Sequence, residues 1–160
     1  MTDIAAARAR VAAEARSWIG TSYHHMGTLK ARRDPAGKIV DKGGVDCATL
    51  LACVYADAGV IPPVTVPYYP PDWHMHRSAE RYMATVLDHA TEIEENQALM
   101  GDVVLYRFGR AFSHGAIIVD PGWPQIVHSR WRANIVHEDR GDIGEWADQK
   151  RRFFTLWPAV

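Results

Sequence analysis

The sequence has 160 residues, 48% hydrophobic and 23% charged, the size and composition of one ordinary globular domain that can bury a core without disulfide or metal staples. Lys plus Arg number 18 against 19 Asp plus Glu, a formal net charge of -1, so no broad basic surface can be inferred and nucleic acid is not an expected partner. No apolar run is long enough to cross a bilayer and the charged N-terminal stretch lacks a secretory-signal pattern; with only two cysteines, the expectation is cytoplasmic synthesis, no membrane insertion and free thiols.

Ile4, Ala7, Val11, Ala15 and Trp18 recur at steps of three or four and predict an amphipathic helix, capped by Thr2 and ended by Gly20. The stretch 29–44 mixes charge with Asp34-Pro35 and glycines, and reads as an inserted surface loop or short hairpin. A second helix is expected from Asp46 or Cys47 to Gly59, because Pro62 and Pro63 cannot continue it. Its buried stripe is Cys47, Leu51, Val54 and Ala58, widened by Leu50 and Tyr55. Residues 66–76 are rich in proline and aromatics without a period, an irregular loop. A third helix is expected after Ser78, burying Tyr82, Met83, Val86 and Leu87. From Asp102 the pattern turns to short β runs at 102–108, 115–120, 125–129, 134–138 and 153–157. Helices first and strands afterwards is the order of an α+β domain, here one domain over 1–160 with N-terminal helices packed on a largely antiparallel C-terminal sheet.

Cys47 stands where Gly43-Gly44-Val45-Asp46 hands over to a helix, beside unpaired backbone N–H groups and the positive end of the helix dipole. That position favours the thiolate a nucleophile needs. It equally suits a small buried hydrophobe opening a core helix, so two readings of Cys47 stand on position alone. A nucleophilic cysteine needs an imidazole to take its proton and a third polar group to orient that imidazole. Eight histidines leave the base open; His114 is preferred because it follows Ser113 at the mouth of the buried run 115–119.

Several separated segments together resemble the NlpC-type cell-wall cysteine peptidases, a papain-like group. The parts are Gly20-Thr21-Ser22-Tyr23, Val45-Asp46-Cys47-Ala48-Thr49-Leu50, Gly101-Asp102-Val103-Val104, His114-Gly115-Ala116-Ile117 and Ile126-Val127-His128-Ser129, in the family's order. The resemblance implies Cys47 as nucleophile, His114 as base, His128 as the orienting third residue and the Tyr23 hydroxyl as a helper near the oxyanion, with neither metal nor cofactor. It also implies a target, the peptide stems of peptidoglycan, cut between γ-linked D-glutamate and the diamino acid next to it. Such a substrate has carboxylates on both sides of the scissile amide, and His24, His25 and Arg130 are the candidates to bind them. The same group includes wall peptidases carried in the tails of phages and gene transfer agents, which makes phage-like tail proteins candidate partners. The chain departs from the family with Ala48-Thr49 where Ser-Gly is usual, with Met26-Gly27 where two glycines are usual, and with the 29–44 insertion. A tight hairpin through Pro121-Gly122-Trp123-Pro124 would not set His128 directly opposite His114, so twist or a bulge must bring them together.

The other chemistry-bearing residues have plainer expectations. Cys53 lies along the same helix as Cys47, too far away for a disulfide, and reads as a structural thiol. His74 and His76 have a one-residue gap that suits metal ligation on a strand but lie in a loop. Lys30, Arg32 and Arg33, and later Lys150-Arg151-Arg152, are either solvated faces or contacts for an anionic polymer. Asp46 is expected to cap its helix and Asp102 to serve a turn before its strand.

Overall fold

The computed structural model describes residues 3–71 and 80–157. Helix α1 (Ile4–Ser17) buries Ala7, Val11 and Ala15, with Trp18 buried at its C-cap, as the spacing predicts. Its cap is Asp3, whose Oδ1 accepts from the N–H groups of Ala5 and Ala6 at 3.0 and 3.3 Å; the expected cap Thr2 lies outside the described residues. A carboxylate here satisfies two of the N–H groups that a helix start leaves unpaired.

The 29–44 insertion is a nested pair of two-stranded ladders. β1 (Thr28–Leu29) pairs antiparallel with β4 (Gly44–Val45), and inside them β2 (Arg32–Arg33) pairs with β3 (Ile39–Asp41). Gly43 closes the outer ladder at a φ of 59°, where any Cβ would collide with the Leu29 carbonyl. Helix α2 (Cys47–Asp57) buries Leu50, Leu51, Val54 and Tyr55, while Cys47 is only half-buried at its first turn. Helix α3 (Arg81–Leu87) buries Tyr82 and Met83 but not the expected Leu87, which is 47% exposed, and Val86 is half-buried. Only seven residues long, α3 meets the sheet through its first turn, where the Tyr82 hydroxyl occupies the space that a side chain at Gly115 would need.

Six strands form one antiparallel sheet: β5 (Thr91–Ile93), β6 (Val103–Phe108), β7 (Ala111–Ile118), β8 (Gln125–Arg130), β9 (Ile135–Arg140) and β10 (Arg151–Thr155). Their order is β5-β10-β6-β7-β8-β9. Edge strand β5 has no counterpart among the predicted runs, since its three residues are largely exposed and show no alternation. Strand β7 begins at Ala111, so His114 sits inside a strand and not at its mouth; pairing of Phe108 with Ala111 carries the ladder back to the turn.

Alternation along the strands splits the interior. Val103, Leu105, Ile117, Val127, Val136 and Phe154 pack under α1 and α2, while Val104, Tyr106, Ala116, Ile118, Ile126 and Phe153 build a second, smaller core with Trp146 on the other face. Helix and sheet are tied by Arg8, whose Nη1 donates to Asp102 Oδ1 at 2.8 Å and to the Met100 carbonyl at 2.7 Å. Asp102 is fully buried and also accepts from the Leu99 N–H at 2.9 Å, so it serves both the expected turn and the helix. Truncating Arg8 would strand that buried carboxylate. Arg8→Ala is expected to cost about 3 kcal/mol in urea unfolding at neutral pH, and a loss below about 1 kcal/mol would contradict this role.

Candidate active site

Asp46 builds the start of α2. Its buried carboxylate takes the N–H groups of Ala48 and Thr49 and the Thr49 hydroxyl on Oδ1, and the Met26 N–H and the Tyr69 hydroxyl on Oδ2. The Thr49 hydroxyl in turn accepts from the Asp46 N–H at 3.0 Å, completing a capping box in which the Ala48-Thr49 pair takes part. One carboxylate thus fixes the helix start and binds it to the 23–27 loop and to Tyr69. His25 joins the same cluster, donating from Nε2 to the Tyr69 carbonyl at 2.8 Å with Nδ1 3.8 Å from Asp46 Oδ2.

The Cys47 sulfur rests against the backbone of β7 on either side of His114. Its thiol donates to the Ser113 carbonyl at 3.6 Å, and the Gly115 N–H also reaches the sulfur. The Tyr82 hydroxyl lies beside it and donates to the Cys47 carbonyl at 2.9 Å. Burial, with the Asp46 carboxylate as the next cause, pushes the thiol up to about 12, against the pull of the Gly115 N–H, the Tyr82 hydroxyl and the residue's own N–H. This direction runs against the thiolate expected from the helix-start position. The helix start supplies its N–H groups, but the capping carboxylate that organises it sets a negative charge beside the sulfur.

His114 Nε2 lies 2.8 Å from His128 Nδ1. β7 and β8 pair through Ile117 with Val127 and Ile118 with Ile126, so His128 stands across from Ala116 and meets His114 on the diagonal of the same face. Diagonal partners are within reach of long and aromatic side chains, and this closes the gap that a tight hairpin leaves. Trp146 stacks on the His114 ring at 5.1 Å and meets His128 edge-on at 5.0 Å. Burial, then the neighbouring His128, Arg130 and His137, hold His114 well below the usual histidine range, so it is a neutral imidazole near pH 7.

The remaining predicted residues divide. Tyr23 bridges to Val45, and burial, then its closeness to Cys47 and the Asp46 carboxylate, raise its hydroxyl so that it stays protonated. His24 is exposed, with Nδ1 3.0 Å from the His25 carbonyl. Arg130 is not a free cation: it ion-pairs with Glu145 and lies over the Trp146 ring at 5.5 Å. The basic clusters are likewise partnered, Lys30 by Glu14 at 2.6 Å, Arg32 by Asp41 at 3.4 Å, Arg151 by Glu95 at 3.0 Å and Arg152 by Glu92. Cys53 is a free, half-buried thiol. His74 and His76 lie outside the described residues.

Tyr69, Tyr82, Trp146 and Asp139 belong to the site although sequence spacing does not single them out. The alternation His137-Glu138-Asp139 in a strand that is otherwise apolar at its start is the available signal for the last of these. His128, His137 and Asp139 offer ligand atoms within 4.8 Å of one another. The two imidazoles, however, are stacked at 14° with centroids 4.8 Å apart, so their in-plane lone pairs run side by side and do not converge on one ion.

Comparison with solved structures assigns the fold. The chain is similar to the NlpC/p60 domain of the peptidoglycan hydrolase SagA, at 21% identity and a TM-score of 0.56 over 91% of this chain and 96% of that one. It is similar to the peptidoglycan hydrolase RipB from Mycobacterium tuberculosis, at 18% identity and a TM-score of 0.60 over 97% and 67%. It is also similar to RipD from the same organism, a non-catalytic NlpC/p60 domain protein adapted to peptidoglycan binding, at 15% identity and a TM-score of 0.58 over 94% and 98%. The chain spans 45% and 41% of two longer neighbours, NlpC2 from Trichomonas vaginalis and an NLP/P60 family protein from Staphylococcus aureus. The fold is the papain-like α+β fold of NlpC/p60 domains. No protein-family model and no curated protein matches the sequence. Among the described residues, no helix is long and apolar enough to cross a membrane.

A resting thiol raised to about 12 has a definite signature. The rate of Cys47 alkylation by iodoacetamide is expected to rise about tenfold per pH unit from about pH 7 to pH 10, because only the thiolate reacts. A rate already level from about pH 6 upward would show a preformed thiolate–imidazolium pair instead.

Proposed function

We propose that this chain is a cysteine peptidase that hydrolyses the peptide stems of bacterial peptidoglycan, acting as a single domain over residues 1–160 with Cys47 as nucleophile, His114 as base and His128 as its orienting partner. One observation carries the reading: His114 Nε2 is engaged by His128 Nδ1 at 2.8 Å, which leaves Nδ1 as the free nitrogen of a ring on the strand that also cradles the Cys47 sulfur. The likeness to the peptidoglycan hydrolases SagA and RipB supports the substrate class. RipD keeps the fold as a non-catalytic protein, so the activity rests on these side chains and not on the fold.

Chemistry begins from a neutral pair. The thiol turns from the Ser113 carbonyl toward His114 Nδ1, and His114 takes the proton as the sulfur attacks the amide carbonyl. The Ala48 and Thr49 N–H groups are committed to Asp46, so the oxyanion falls to the Cys47 N–H and to the Tyr23 hydroxyl, which stays protonated at neutral pH. The tetrahedral intermediate collapses with His114 protonating the leaving amine. A water deprotonated by His114 then hydrolyses the thioester. This sequence calls for no cofactor.

The bond proposed is that between γ-linked D-glutamate and the adjoining diamino acid. Exposed His24 is the available group for a substrate carboxylate, His25 is anchored to Tyr69, and Arg130 would contribute only by exchanging its Glu145 partner. Delivery in a phage-like or gene-transfer-agent tail is part of the same reading, with the sequence resemblance as its support.

Cys47→Ala and His114→Ala are each expected to abolish release of fragments from purified peptidoglycan while Tm stays within a few degrees; digestion by either purified variant would overturn the pair. With defined muropeptides, mass spectrometry should find the new amine on the diamino acid. Cleavage at the sugar–peptide amide would make the enzyme an amidase. Because His114 is held below the ordinary histidine range, the acid limb of kcat/KM should fall below about pH 6.5, and a midpoint above that value would contradict the neutral base.

A further inference from the structure

The geometry points to Asp139 as a positioning residue that sets the tautomer of His128 and, through it, the nitrogen that His114 presents to Cys47; this rests on the peptidase reading of the site. A neutral imidazole carries one ring proton. For His114 Nδ1 to accept the thiol proton, the ring's own proton must sit on Nε2, and Nε2 faces His128 Nδ1 at 2.8 Å. His128 Nδ1 must therefore be the acceptor, which places the His128 proton on Nε2. That nitrogen is fully buried and makes no hydrogen bond. The carboxylate facing it is Asp139, with Oδ2 at 3.7 Å, beyond hydrogen-bond length but close enough for charge to act through the dry interior.

An N–H turned toward that carboxylate is attractive, and a lone pair turned toward it is repulsive, so Asp139 selects the tautomer the reaction needs. The carboxylate is itself held in place. The Arg140 N–H donates to Oδ1 at 2.8 Å and the Trp146 indole N–H to Oδ2 at 3.1 Å. The contact with His128, then these two donors, keep Asp139 below the usual carboxylate range and ionised. The same diagonal that joins His114 to His128 is repeated one strand further: β9 sets His137 opposite His128 and Asp139 opposite Ile126, so Asp139 reaches His128 along the same face. The other titratable groups facing His128 are His114, Arg130 and His137. Arg130 has its charge matched by Glu145, and His137 is held neutral near pH 7, chiefly by burial. Trp146 covers His114 and holds Asp139 at once, which makes the array His114–His128–Asp139 one packed unit.

Without the carboxylate, nothing in contact holds the proton on His128 Nε2. A proton on Nδ1 would make His128 the donor to His114 Nε2 and drive the His114 proton to Nδ1, where it faces the sulfur and cannot act as a base.

The test is a two-bond 1H–15N correlation spectrum of the histidine rings of the full chain near pH 8, where both rings are neutral. In the wild type, His128 should show a bare Nδ1 and a protonated Nε2. Asp139→Asn and Asp139→Ala should each move population to the Nδ1–H form, and kcat on peptidoglycan should fall about tenfold or more with little change in KM or Tm. An unchanged Nε2–H tautomer in both variants overturns the assignment. The spectrum needs no substrate, so it stands or falls separately from the peptidase reading, which Cys47→Ala tests.

Discussion

The Asp46 carboxylate is the constraint on which the site depends. It gathers donors from the first turn of α2, from the 23–27 loop and from Tyr69, and so fixes where Cys47 begins its helix and what surrounds it. Burial and then the same charge, lying beside the sulfur, push the thiol up. In the proposed reaction the work is divided accordingly: the helix start places the nucleophile, and the sheet supplies a base ready to take a proton at the moment of attack.

The sheet is suited to that task because both of its faces are packed. Helices α1 and α2 lie on one side and a second core around Trp146 on the other, so β7, β8 and β9 hold their side chains in fixed relation. Three residues on three neighbouring strands, His114, His128 and Asp139, lie along a diagonal on one face. Each step of that diagonal is a contact between groups far apart in the chain. A low-dielectric interior strengthens such contacts and raises the cost of a wrongly placed proton.

Much of the fold is legible in the sequence, and the reason is local. The apolar steps of α1, the start of α2 at Cys47 and the short β-rich runs of β6, β8, β9 and β10 are properties of neighbouring residues, and the structure places them within a few positions of the expectation. Edge strand β5 has too little burial to leave a pattern, and the outward turn of Leu87 depends on how far α3 overlaps the sheet. For the site, two of the residues the resemblance names, His114 and His128, meet at 2.8 Å, while His24 is exposed and Arg130 is paired with Glu145. The state of those residues is not legible. The upward push on the thiol arises from burial and from Asp46, the partnering of Arg130 from Glu145 near a 3-10 turn, and the role proposed for Asp139 from strand register. None of these is a property of sequence spacing.

In the proposed mechanism Cys47, and not the second thiol at Cys53, forms the covalent bond to substrate. A stem peptide carrying a vinyl sulfone in place of the scissile amide tests it directly, through intact mass and tryptic mapping of the modified protein alongside residual activity. One adduct per chain is expected, located on Cys47, with wall-degrading activity lost in proportion to its formation. An adduct on Cys53, or activity that survives complete modification of Cys47, would contradict it.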